Sequence, residues 1–196
     1  MTKQSKILTF LSLAGLGYFA IMRASENTEN EIKESAMTNQ ELYYGVKDDT
    51  EILSIINEIA NKYAYGANIN NLKKMLFEIV ATESDFGNAK DASRAYGEGL
   101  TQFDKTTYNE LRNEILNRGE NPYDLKNVTY DKLRENPKVQ IYMTRYFIYR
   151  RIPHAIPNTL ESRANDWKIY YNTKYGKGTV EHYITMSNKH YRRLEI

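Results

Sequence analysis

From residue 49 onward the apolar residues recur at steps of three to four, and this spacing constrains the fold more than any other feature of the chain. Ile52, Ile55, Ile56, Ile59 and Tyr63 form one such stripe after Asp49-Thr50, which are suitable N-cap residues, and it stops before Gly66. Leu72, Leu76, Ile79 and Glu83 form the next, widened by Met75 and Val80. Tyr108, Leu111, Ile115 and Leu116 repeat the spacing and end at Gly119, a plausible C′ residue. Val139, Tyr142, Met143, Tyr146 and Phe147 follow Pro137. Pro153 and Pro157 then bracket a rigid link carrying His154, and Asn158-Thr159 can cap a helix holding Trp167 and Tyr170. A last helix holds Val180, Tyr183, Ile184 and Ser187. No segment sustains two-residue alternation and none repeats another, so the fold class is all-α.

The length of 196 residues suits one helical domain with an appendage. Ile7 to Met22 is an almost unbroken apolar run, preceded by Lys3 and Lys6 and followed by Arg23. At 16 residues it falls just short of the ~20 that cross a bilayer comfortably, which leaves signal peptide and uncleaved anchor both open. A buried core helix is the alternative, against which its position at the extreme N-terminus argues. The exit around Phe19 to Ala24 offers no convincing small-x-small cleavage site, which favours an anchor with a cytoplasmic N-terminus. The expected organisation is therefore a membrane-directed segment over 1–24, a polar linker over 25–48 rich in Glu, Asn, Ser and Lys, and a folded domain over 49–196.

Charge and cysteine content narrow the function. With 27 basic and 25 acidic residues the net charge is +2, so there is no electrostatic case for nucleic acid. The absence of cysteine excludes disulfides, thiolate catalysis and a lipoprotein anchor. His154, His182 and His190 lack ligand-like spacing, no phosphate loop or nucleophile elbow occurs, and neither a metal nor an organic cofactor is expected.

The chemistry concentrates between Leu72 and Phe103. Glu83 closes the second apolar stripe, which places it on the core-facing side at a helix C-terminus. Lost hydration and the negative end of the helix dipole both disfavour its ionised form, the property a general acid for glycoside cleavage needs. The alternative is a solvated Glu on the last helical turn. Seventeen tyrosines with abundant Asn suit a sugar-binding cleft, although most of these tyrosines sit on helical stripes and read as core.

Glu83-Ser84 followed by Gly97, Gly99, Leu100 and Gln102 resembles the soluble lytic transglycosylase and goose-type lysozyme superfamily, which pairs a catalytic Glu-Ser with a small-residue loop ending in Gln. Tyr96 stands where that loop's first glycine is expected. Trp167 through Thr173 is similar to the family's later aromatic-Asn motif, with Thr173-Lys174 in place of small residues, and Tyr183 matches a further tyrosine. The resemblance covers about residues 70 to 185. It implies a lysozyme-like domain acting on the β-1,4 bond between MurNAc and GlcNAc in peptidoglycan, with Glu83 as catalytic acid and then base. Ser84, Tyr171 and Asn172 are expected to position substrate or to hydrogen-bond the Glu83 carboxyl. Gln102 would hold the sugar, and Gly97 and Gly99 would line the floor. Asp85 and Glu98 are the nearest candidates for a second carboxylate, which would make the enzyme a muramidase. The expected partners are peptidoglycan strands and, through the N-terminal segment, a membrane, in a wall-facing anchored protein or a phage virion. The rival is a non-catalytic, membrane-tethered wall-binding or assembly protein with the same fold.

Overall fold

The structure, a computed structural model, describes residues 42–89, 97–174 and 176–196. The apolar run from Ile7 to Met22 and most of the polar linker lie outside the described residues, as does Tyr96. Among the described residues no helix is long and apolar enough to cross a membrane.

The described part is helical, as the spacing predicts, and its one pair of strand-like residues is an isolated antiparallel bridge between Glu98 and Phe103. The principal helices are α1 (Asp49–Lys62), α2 (Ile69–Ser84), α3 (Lys105–Asn117), α4 (Tyr130–Leu133), α5 (Pro137–Arg151), α6 (Leu160–Asp166) and α7 (Val180–Arg193). A 3-10 segment, Pro122–Asn127, precedes α4, and a π-helical turn, Trp167–Asn172, extends α6.

Local chemistry sets the helix starts. The side chains of Asp48, Asn68, Asp104, Thr159 and Thr179 each accept a hydrogen bond from a backbone N–H three residues on, satisfying donors that the first helical turn leaves unpaired. The α1 cap is thus Asp48, one residue ahead of the Asp49-Thr50 pair favoured by the sequence. Pro137 opens α5, where a missing N–H costs nothing.

Helix α2 is buried on nearly every side: Leu72, Met75, Leu76, Ile79, Val80 and Ala81 are fully enclosed, and Phe77 nearly so. It packs against α1, α5 and α7. Each large apolar side chain removed from water there contributes about 1.5–3 kcal/mol, so α2 is a firmly held base for whatever its C-terminus presents. Its exit is sharp, with Asp85, Phe86 and Gly87 all at positive φ. Ahead of α1, Tyr44 and Val46 are buried in the same core, so the packed part includes residues N-terminal to 49.

Candidate active site

Glu83 lies in the last turn of α2, half-buried, and Nε1–H of Trp167 donates to its Oε1 at 2.7 Å. Trp167 is 1% exposed and packs against the Tyr183 ring at 5.2 Å, so this donor is held by its burial and orients the carboxyl in turn. Trp167 also opens the π-helical turn, a rare geometry that recurs at functional sites. Ser84 faces the other way. Its hydroxyl donates to Val80 O at 3.0 Å and accepts from Gly87 N–H at 3.1 Å, and only 1% of the residue is exposed. Ser84 therefore shapes the helix exit and does not line the cleft beside Glu83.

The opposite wall is the loop from Gly97 to Phe103. Glu98 and Phe103 exchange backbone hydrogen bonds at 2.9 and 3.1 Å, and Gln102 N–H donates to Gly99 O at 3.2 Å, which closes a tight hairpin. Gly99 turns it at φ +84°, and a Cβ on Gly97 would lie 2.5 Å from Gln102 O, so each glycine is demanded by backbone geometry. Gln140 of α5 anchors the loop by accepting from Leu100 N–H at 2.5 Å. The Gln102 amide folds back to donate to Gly99 O at 2.8 Å.

Between these walls is a cleft of about 610 Å³ lined by Glu83, Gln102, Asp104, Tyr171, Asn172, Thr173, Gly176, Lys177 and Gly178. A smaller recess bounded by Phe103, Thr107 and Phe147 shares Gln102, Asp104 and Tyr171 with it. Of the residues singled out from sequence, Glu83, Gln102, Tyr171 and Asn172 meet in the cleft, while Gly97 and Gly99 shape the loop that presents Gln102.

Three details differ from the sequence expectation. The Tyr171 hydroxyl donates to Thr101 O at 2.6 Å, and the indole of Trp167 donates to Glu83. Burial, and after it the negative charge of Glu83, push the Tyr171 hydroxyl well above its usual pKa, so it stays a donor. Neither Asp85 nor Glu98 lines the cleft. Asp85 pairs with Lys189 and with Nε2 of His190, at 2.6 and 2.7 Å; burial pushes its carboxyl up, but these partners outweigh that and hold it below the usual range. Glu98 is 2% exposed and paired with Arg134 at 2.9 Å. The second cleft carboxylate is Asp104, the α3 N-cap, whose side chain also accepts from Thr107 N–H. Its sequence signal was an Asp between the small-residue loop and the next apolar stripe. Asn172 accepts from Lys168 Nζ at 2.8 Å.

Behind the site, Glu78 is fully buried and held by Arg163 through two hydrogen bonds of 2.7 and 2.5 Å, with the hydroxyls of Tyr183 and Tyr191 donating at 3.0 and 2.7 Å. This network ties α2 to α6 and α7 and so sets Glu83 against Trp167. Among the described residues no group of His, Asp and Glu is arranged to hold a metal ion. No family model matches the chain, and no curated protein or solved structure matches it.

Proposed function

We propose that this protein cleaves the β-1,4 bond between MurNAc and GlcNAc in peptidoglycan, as a lytic transglycosylase. The observation that carries the reading is a carboxyl group at the mouth of an otherwise buried helix, oriented by a buried indole N–H and facing an open cleft beside Gln102, Tyr171 and Asn172. Those are the positions whose sequence resembles the lytic transglycosylase and goose-type lysozyme superfamily.

In this reading Glu83 protonates the glycosidic oxygen as the bond to the anomeric carbon breaks. The resulting carboxylate takes the proton of the muramyl 6-hydroxyl, whose oxygen closes on the anomeric carbon, and Glu83 is returned to its acid form. The Trp167 N–H donates to one carboxyl oxygen and holds the group in one orientation. Gln102 and Asn172 supply amide groups for sugar hydroxyls and acetamido oxygens. Asp104 supports a second outcome: a carboxylate in the same cleft is able to orient a water, giving hydrolysis and a muramidase. The apolar run from Ile7 to Met22 would tether the domain to a membrane with the cleft toward the wall, in a bacterial envelope or a phage particle.

The test is Glu83→Gln, which keeps size and shape but cannot transfer the proton. Clearing of purified peptidoglycan should fall by the ~10²–10⁴ attributed to general acid–base catalysis, with thermal stability unchanged or raised. Wild-type digests should yield muramyl ends lighter by one water in mass spectra, whereas ordinary reducing ends assign the hydrolytic outcome. Undiminished clearing by the Glu83→Gln protein would overturn the reading.

A further inference from the structure

Glu83 and Asp104 give the cleft two carboxyl groups, and the cation lining it among the described residues is Lys177. Its backbone is placed with unusual closeness. A Cβ on Gly176 would lie 2.2 Å from Asn172 O, and one on Gly178 would lie 2.4 Å from Cη2 of the Trp167 indole. The two glycines flanking Lys177 thus press the chain onto Asn172 and onto the ring that orients Glu83. Lys168 reinforces this seat by donating from Nζ to Asn172 Oδ1 at 2.8 Å and to Gly176 O at 2.9 Å. Lys177 itself is exposed at the cleft, and no described carboxylate pairs with it. The fold therefore fixes the backbone from which Lys177 reaches into the cleft, and no described carboxylate commits its charge.

A neutral glycan needs no cation there. An acid-bearing glycan does, because its carboxylate would otherwise approach the Asp104 carboxylate uncompensated. We infer that Lys177 is a specificity-determining residue that binds a carboxylate carried by the glycan, so that the cleft selects acid-bearing strands over neutral ones. The inference rests on the peptidoglycan reading, in which the carboxylate belongs to the muramyl lactyl arm or to the peptide attached to it. Lys177 donates a charge-assisted hydrogen bond to that group and offsets its repulsion from Asp104.

Trp167 is the chain's single tryptophan and lies against both Glu83 and Gly178, so its fluorescence reports occupancy of the cleft without requiring turnover. The full chain in detergent, carrying Glu83→Gln to prevent cleavage, is titrated with three probes: peptide-bearing muramyl oligosaccharides, the same strands stripped of peptide by an amidase, and neutral chitotetraose. The acid-bearing probes should bind more tightly than chitotetraose, with the advantage shrinking in 0.5 M salt. Adding Lys177→Gln should weaken acid-bearing probes about tenfold and leave chitotetraose unchanged, and Lys177→Arg should restore most of the loss. A Lys177 effect confined to peptide-bearing strands, whose lactyl carboxyl is tied up as an amide, assigns the peptide carboxylate; one confined to stripped strands assigns the lactyl carboxylate; and one shared by both shows that either is accepted. Equal affinities for all three probes, or a Lys177→Gln loss that is absent or shared by chitotetraose, overturns the inference and leaves the peptidoglycan reading intact. Failure of the Glu83→Gln parent to bind any of the three removes both.

Discussion

Trp167 and Tyr171 lie four residues apart on one π-helical turn, yet their polar atoms serve different partners, and this separates two mutations that sequence alone would treat as equivalent. Trp167→Phe keeps an aromatic ring against Tyr183 and deletes the donor on Glu83. Clearing of peptidoglycan should drop about tenfold, the effect of one hydrogen bond to a charged group, measured against protein matched for folded fraction. Tyr171→Phe instead strands Thr101 O inside the protein, so its main effect should be a stability loss of about 1–3 kcal/mol in urea unfolding. A large activity loss at unchanged stability would contradict the assignment of the Tyr171 hydroxyl to Thr101. Glu83 was legible because it continues a stripe of Leu72, Leu76 and Ile79. Its partner was not, because the bond joins residues 83 and 167, and spacing along the chain carries no information about which aromatic N–H or O–H arrives from so far away.

At the scale of helices, α1, α3 and α7 present one apolar stripe to the core, while α2 and α5 carry such a stripe but are enclosed on nearly every side. The same rule hid Glu78. An amphipathic reading assigns residues off the stripe to solvent, but α2 is covered on that side too, by α7, and the buried carboxylate is met there by Arg163, Tyr183 and Tyr191. The 3-10 segment Pro122–Asn127 and the four-residue α4 escaped for a simpler reason, being shorter than the two turns needed to show a period. Breaking the buried pair is expected to be severe. Arg163→Met leaves Glu78 charged with no ionic partner and should cost about 3–5 kcal/mol, whereas combining Arg163→Met with Glu78→Leu should recover much of that loss. Chemical unfolding of the two proteins measures the difference, and a double variant no better than the single one would assign the network a geometric role that apolar packing cannot replace.

At the scale of the whole helical assembly, a second polar chain runs from the end of α2 through α7 to α1. Arg193 donates to Nδ1 of His190 from Nε and Nη2 at 3.1 and 3.0 Å and pairs with Asp49 at 2.5 and 2.8 Å, while His190 Nε2 meets Asp85 at 2.7 Å. Because arginine only donates, Nδ1 must be the acceptor, and the imidazole is neutral with its proton on Nε2. Charging it would set a second N–H against the guanidinium. Burial first, and then the charges of Arg193 and Lys189, hold its pKa below the ordinary 6.5 despite the opposing pull of Asp85, and the Phe86 ring stacks on its face. A depressed pKa in the folded state means that this contribution to stability is complete above pH 6.5 and is lost as pH falls through the folded value. The thermal midpoint should therefore decline on acidification below pH 6.5, and His190→Gln should be flatter over that window. An unchanged slope in the variant would place the acid sensitivity elsewhere.

The Glu78 network also has a consequence in time. Glu83 comes from α2, while its orienting indole, the Arg163 that holds α2 in place and the two tyrosines that complete that contact all lie beyond residue 160. A chain being translated has made Glu83 long before it has made anything to aim it. If Glu83 is the acid proposed here, the growing polypeptide lacks the indole that orients it until α6, the π turn and α7 have emerged and docked. A cell making such a protein would, on that reading, be spared the proposed activity until α7 has docked.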